Sequence, residues 1–395
     1  RNCPVGSTNH HEHPVLWCPL GYILGNRVIE LVDGHLQLLG QSVTFLRVFR
    51  NEGIVYQFPQ DGIVENDTLD IVRDDGRSSK IARGVIRSHA DQLFRLIAQG
   101  DNISDDSPEI VRLKTLLQTE KLTAKSIDKS DLQGEVISSN QTHSHTLGFS
   151  VKSHVGSNPS LINSNHENSL LYYRVVPTDH ERLTDKDRGL LEQIANDFNL
   201  PNDGKRTQIR SYLEILRKNG FRLKFEKTAK EALGYTLRII DTKFPDILAE
   251  VLLEHYTYEK KSKKGDRRTL GELVDMCCTR RNLSPIFQML GQNSEEIINS
   301  ARYKMQNFLL AFSTGASVSA KWDGHDQANG GIIIVLKDGR VVCLELFTRN
   351  SIGEYLLSNT VFDTPSLGRH GGGQLEKIGG DWFFGLQLQV RFDQR

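Results

Sequence analysis

The chain has 395 residues, and 49 basic side chains balance 49 acidic ones. That length can bury a large core, in one elaborated domain or two to three smaller ones, while zero net charge excludes bulk attraction to nucleic acid or acidic lipid. Five cysteines, two of them adjacent at Cys277 and Cys278, argue against a disulfide framework; with no apolar run near the ~20 residues of a membrane span, a soluble cytoplasmic protein is expected.

Along the chain, residues 1–22 (RNCPVGSTNHHEHPVLWCPLGY) stand apart. Cys3, His10, His11, His13 and Cys18 fit no trusted zinc spacing, so a disordered His-rich extension is expected. VIELVDGHLQLL (28–39) reads as a short helix, VTFLRVF, IVYQF and TLDIVR as strands, and 79–121 as helix in two pieces. A hairpin follows, with strands near 131–138 and 146–153, and then the strand LLYYRVV. Residues 185–219 read as two amphipathic helices, ended by Gly220; FPDILAEVLLEHYTY begins helically at Pro245. Ser294 is the expected cap of a long helix carrying Ile297, Ile298, Ala301, Met305, Phe308, Leu309 and Phe312, and Gly315 its stop. GGIIIVLKDGRVVCLELF forms a hairpin about Asp338-Gly339, and WFFGLQLQVRF a closing strand. These elements indicate an α/β fold, divided as a 23–180 core, a mainly helical 181–290 segment and a 291–395 part that completes the core.

The chemistry concentrates in LGFSVKS (147–153), where Leu147, Phe149 and Val151 share one strand face and Gly148, Ser150 and Lys152 the other. A turn centred between Gln141 and Thr142 places Asp131 opposite Lys152, with Cβ atoms about 4.5–5.5 Å apart. A one-residue slip would send one of them to the other face. A carboxylate can hold Mg²⁺, which acidifies a bound water, while a lysine positions that water and stabilises the phosphate transition state. Such a carboxylate–hairpin–(Asp/Glu)-x-Lys arrangement resembles the PD-(D/E)XK nucleases, with Ser150 in place of the middle acid. Glu135 lies about 13 Å along the strand from Asp131, so Glu30 in the early helix is the better second ligand. Pro245-Asp246 followed by Glu259-Lys260-Lys261 spells the motif literally, but Ile247, Leu248, Val251 and Leu252 keep helical period and mark it as a decoy.

Several segments in order, KSIDKSDLQGEVI, LGFSVKSHVGSNPSLIN, LFTRNSIGEYLLSNTVFDTPSLGRH and LQLQVRF, are similar to the HpaII-type family of type II restriction endonucleases. The similarity runs from about Gly25 to Phe392 and thins across 176–290. It implies a restriction-endonuclease-like mixed β-sheet core flanked by helices, with a β-rich C-terminal part. The family pattern puts its acid at Asp131 and its lysine at Lys152, with serine between as here. Where relatives tend to show Gly-Glu-Trp-Ser-Glu-Leu, this chain reads Gly25-Asn26-Arg27-Val28-Ile29-Glu30-Leu31, keeping only the second glutamate, displaced by one.

The resemblance implies Mg²⁺-dependent double-strand cleavage of a short palindromic DNA site, CCGG in the prototype, alongside a methyltransferase that protects host DNA. A palindrome implies a homodimer. Arg349-Asn350 after a strand and Arg369-His370 in a Gly-rich loop are the first candidates to read bases; Arg174, Lys321 and His325 follow. Each also suits a phosphate contact or a surface ion pair. EKKSKKGDRR (259–268) suits phosphate tracking or plain solvation. Two alternatives remain: a catalytically inactive DNA-binding protein, and a nicking or repair nuclease on the same core.

Overall fold

Alternation of apolar and polar residues builds the first strands: in Thr68–Arg73, Leu69 and Ile71 are buried and Asp70 is not. A computed structural model describes residues 43–393, apart from 51–52, 58–67, 100–103, 105, 121–129, 139–142, 156–157, 199–205, 259–266, 338–340, 346–348 and 367–369. The expected N-terminal extension and the helix over 28–39 lie outside the described residues.

Strands β1 (Val43–Arg50), β2 (Ile54–Gln57), β3 (Thr68–Arg73), β4 (Ser78–Ala82), β5 (Leu132–Ser138), β6 (His145–Ser153), β10 (Gly331–Val335) and β11 (Val341–Glu345) form an eight-stranded sheet. Its order is β11-β10-β6-β5-β1-β2-β3-β4. Neighbours pair antiparallel except β6 with β10, which are parallel. Every residue of β10 is buried, the pattern of a strand covered on both faces. One face carries Val48, Leu69, Leu132, Phe149, Val151, Ile333 and Val335. Helices α1 (Arg83–Gln99) and α2 (Pro108–Leu117) cover it with Ile86, Leu93, Ile110 and Leu113. Ile332 and Ile334 point the other way, into a larger core.

That larger core draws on helices α3 (Asp185–Asp197), α4 (Arg206–Lys218), α5 (Glu231–Ile240), α6 (Phe244–Thr257), α7 (Leu270–Cys278), α8 (Pro285–Gln288), α9 (Ser294–Thr314) and α10 (Arg349–Asn359). It also includes an antiparallel sheet of β8 (Leu170–Pro177), β9 (Phe221–Thr228), β13 (Leu375–Ile378) and β14 (Asp381–Gln387), in the order β13-β14-β8-β9. A third sheet joins β7 (Ser160–Ile162), β12 (Thr360–Phe362) and β15 (Val390–Phe392). The fold is thus the expected mixed sheet flanked by helices, with further antiparallel strands toward the C-terminus.

Two expectations need correction. Asn293, not Ser294, caps α9: its Oδ1 accepts the Glu296 backbone N–H at 3.0 Å, and Ser294 is already helical. WFFGLQLQVRF is two strands in different sheets, because Leu388 and Gln389 interrupt it between β14 and β15. Arg349 and Asn350 come after a strand as expected, β11, and they open helix α10.

Candidate active site

The sheet that positions the site is set by β6, held between β5 and β10. Pairing of Leu132 with Phe149 and of Gln133 with Gly148 places Asp131, just before β5, opposite Ser150. The expected Asp131–Lys152 opposition is therefore wrong by two residues. Because strand periodicity is two, the shift leaves Asp131, Ser150 and Lys152 on one face. Lys152 becomes the diagonal neighbour of Asp131, at about 7–8 Å rather than 4.5–5.5 Å.

Asp131 is fixed from several sides. Its backbone N–H donates to Phe149 O at 2.9 Å, and its Oδ2 accepts the Val151 backbone N–H at 2.6 Å. The Ser150 hydroxyl, fully buried, also donates toward that oxygen at 3.4 Å. A buried hydroxyl needs such a partner, and a carboxylate is the stronger kind. Val151 thus supplies an orienting donor that side-chain motifs do not reveal.

Ser150 and Lys152 do not sit on a solvated face. In the parallel register they lie beside Ile332 and Ile334, whose side chains enter the larger core under α9. Lys152 is half-buried. Among the described residues its ammonium makes no hydrogen bond or ion pair. A long side chain in this setting lays its methylenes along apolar surface and carries its charge outward. Two residues on, His154 donates its backbone N–H to Val335 O at 2.8 Å and sets its ring edge-on to Phe392. Burial, and then the nearby Lys337 charge, hold its imidazole below the usual 6.5.

Gly148 is where a further segment reaches the site. Its N–H donates to Asn329 Oδ1 at 2.8 Å and its carbonyl accepts Gly330 N–H at 2.7 Å. A Cβ there would lie 2.3 Å from Gln327 O and 2.5 Å from Ser130 Oγ, so only glycine permits this approach.

The oxygen donors brought together are the Asp131 carboxylate and the Ser150 hydroxyl. Among the described residues no group of three or more His, Cys, Asp and Glu converges. An oxygen-only set with one carboxylate suits a hard cation that keeps several waters and takes phosphate oxygens, as Mg²⁺ does. Glu30, the expected second ligand, lies outside the described residues, as does Arg369. The decoy Asp246 is exposed in the first turn of α6, while Glu259, Lys260 and Lys261 lie outside the described residues.

Among the expected DNA readers, Arg349 and Asn350 are exposed at the start of α10, with Arg349 donating to Asn307 Oδ1 at 3.3 Å. His370 directly precedes the glycines 371–373; its N–H donates to Ser366 O at 3.0 Å and its carbonyl accepts from Gln387. Arg174, Lys321 and His325 pair with Glu226 at 3.4 Å, Glu231 at 2.9 Å and Asp323 at 3.3 Å.

A carboxylate at the mouth of a hairpin, with a lysine two positions beyond its cross-strand partner, fits phosphodiester chemistry, and comparison with known proteins gives the lineage. The HpaII restriction endonuclease family matches residues 21–392. The chain belongs to that family. It is 27% identical over 376 residues to the type II restriction enzyme HpaII of Haemophilus parainfluenzae, covering 94% of each chain. No solved structure gives a significant match. The family member is accordingly a type II site-specific deoxyribonuclease, and DNA is its substrate. Among the described residues no helix is long and apolar enough to cross a membrane.

Proposed function

We propose that the enzyme makes Mg²⁺-dependent double-strand cuts at a short palindromic DNA site, with Asp131 and Lys152 as its catalytic residues. The observation that carries this reading is the pinned Asp131 carboxylate on the same sheet face as Lys152, whose ammonium has no hydrogen-bond or ion-pair partner among the described residues. When bound, Mg²⁺ would supply neutralisation of phosphate charge and activation of the attacking water. Asp131, with Glu30 as second carboxylate, would hold the ion. The Val151 N–H and the Ser150 hydroxyl keep the Asp131 carboxylate aimed while DNA enters. Lys152 presents its ammonium to a non-bridging oxygen of the scissile phosphate or to the attacking water, where negative charge grows in the transition state.

The family prototype supports CCGG as the site to try first, and a palindrome calls for a homodimer with one hairpin on each strand. Arg349, Asn350, Arg369 and His370 supply the fork and amide chemistry that reads guanine edges. The enzyme would act in the cytoplasm beside a methyltransferase that modifies the same site.

Supercoiled plasmid of known sequence, incubated with the purified protein and Mg²⁺, tests the reading. Discrete linear fragments whose sequenced ends share one palindrome are expected. Nicked circles alone would assign a nicking or repair nuclease, and binding without product an inactive DNA-binding protein.

A further inference from the structure

Strands β6 and β10 run parallel and end level with each other, Lys152 beside Ile334 and Ser153 beside Val335. In open α/β sheets, ligands bind outside the carboxyl ends of parallel strands. We infer that His154 and Lys337, one just past each strand, grip the backbone phosphate next to the scissile one on the cut DNA strand; this rests on the nuclease reading above. Neither residue has a part in the chemistry assigned to Asp131 and Lys152.

His154 is firmly placed. Its backbone N–H donates to Val335 O at 2.8 Å, which carries the parallel ladder one step past β6. Its ring meets Phe392 edge-on, with centroids 5.7 Å apart. Beyond it, Val155 is buried and donates its N–H to Ser153 Oγ at 3.2 Å. Side chains alternate along a strand, so Ser150, Lys152 and His154 share one face, with about 7 Å between the last two. Neighbouring phosphates of one DNA strand advance about 3.4 Å along the duplex axis and also turn about it, so a step of this size spans them. Lys337 follows Val335 by two residues and is exposed, and its charge is felt at the His154 ring.

Among the described residues neither Lys152 nor Lys337 has an ion-pair partner, and the ring nitrogens of His154 make no hydrogen bond. Those nitrogens are not sealed in the core, since neither is a buried atom lacking a partner. Burial and the Lys337 charge hold the imidazole below the usual 6.5. Near neutral pH it therefore offers an uncharged N–H donor, while Lys337 offers a point charge. For the chemistry to run, Lys152 must meet the scissile phosphate. Groups one step on along the same face then meet backbone, not base edges. A donor and a cation side by side match one phosphate, and such a contact sets the register of the strand over Asp131 without reading sequence.

The test uses the full chain, gel shift in Ca²⁺ and duplex oligonucleotides bearing the site found by end sequencing. One series places a single uncharged methylphosphonate at each phosphate around the scissile bond. Lys337→Gln, at an exposed position, should fold as wild type and lower the slope of log affinity against log salt by about 0.9 for each bound protomer. A methylphosphonate at one phosphate beside the scissile one should weaken the wild type and leave Lys337→Gln no weaker, while the other positions affect both alike. His154→Phe should weaken binding about 2- to 10-fold with the slope unchanged, because a neutral donor displaces no counterion. His154→Asn keeps an N–H donor and should recover most of that loss. An unchanged slope for Lys337→Gln, unchanged affinity for His154→Phe, or equal sensitivity of wild type and Lys337→Gln at every phosphate overturns the assignment while the nuclease reading stands. A wild-type protein that cuts no duplex overturns both.

Discussion

Val151 donates its backbone N–H to Asp131 Oδ2 across 2.6 Å, so the strand that carries Lys152 also aims the acid. β5 begins only at Leu132, and the carboxylate takes up a ladder donor of β6 just beyond that strand's first residue. Acid and lysine therefore move as one unit with β6, which is itself held between two neighbours. A site built this way keeps its geometry without substrate.

Asp131→Asn is expected to retain this frame, since an amide oxygen can still accept from Val151, while losing the charge that holds a cation. Single-turnover cutting should fall roughly 10³-fold or more, with duplex affinity in Ca²⁺ within a few-fold of wild type. Lys152→Ala should behave alike, because it removes the ammonium and leaves the backbone pairing intact. Wild-type rates from both variants would remove this hairpin as the site.

Asp246→Asn tests the rejected motif. Asp246 is exposed in the first turn of α6, where a carboxylate favours the helix N-terminus by about 0.3–1 kcal/mol. A small drop in Tm and an unchanged chemical step are expected. A cleavage loss of several orders of magnitude in a folded variant would transfer catalysis to that segment.

Strong periodicity and turn chemistry make elements legible in the sequence. Leu147, Phe149 and Val151 alternate as only a strand would, and the run of apolar residues at helical spacing along α9 left little choice. The hairpin register was not legible, because SSNQTHSHT contains no residue pair that dictates a turn type and hence a loop length. The face of Asp131 survived the two-residue error only because the error was even. The burial of Ser150 was hidden as well: it depends on β10, almost two hundred residues away, pairing beside β6. Phe221, Leu223 and Phe225 do announce β9 by alternation. Val151's role lies in its backbone, which no side-chain motif encodes.

His154 gives a pH prediction. Its folded-state imidazole titrates below the ordinary 6.5, through burial first and Lys337 second. Above that value both folded and unfolded states are neutral there, and its contribution to stability is complete. As pH falls from about 6.5 the unfolded chain takes up the proton first, so stability declines through the folded pKa. Tm should thus drop between pH 7 and pH 5, and His154→Asn should flatten part of that slope. An identical slope in the variant would show that His154 does not couple folding to protons.

The last prediction separates the two groups that could complete the metal site. Mg²⁺ ordinarily takes one or two protein carboxylates with waters and phosphate oxygens, and the hairpin offers one, on Asp131. If Glu30 supplies another, Glu30→Gln should raise the Mg²⁺ concentration for half-maximal cutting roughly tenfold or more, as losses near a metal generally do. Ser150→Ala removes a donor 3.4 Å from Asp131 Oδ2 but leaves the shorter Val151 bond in place. One hydrogen bond is worth about 0.5–1.5 kcal/mol, so cutting should slow roughly 2- to 10-fold with little change in the Mg²⁺ midpoint. Ser150→Asp would bury a second carboxylate directly opposite Asp131, and the like charges should raise a pKa and lower Tm without metal. Added Mg²⁺ should recover that Tm, a readout independent of cleavage. An unchanged midpoint and rate for Glu30→Gln, with collapse for Ser150→Ala, would make the serine hydroxyl the working ligand and leave Glu30 outside the site.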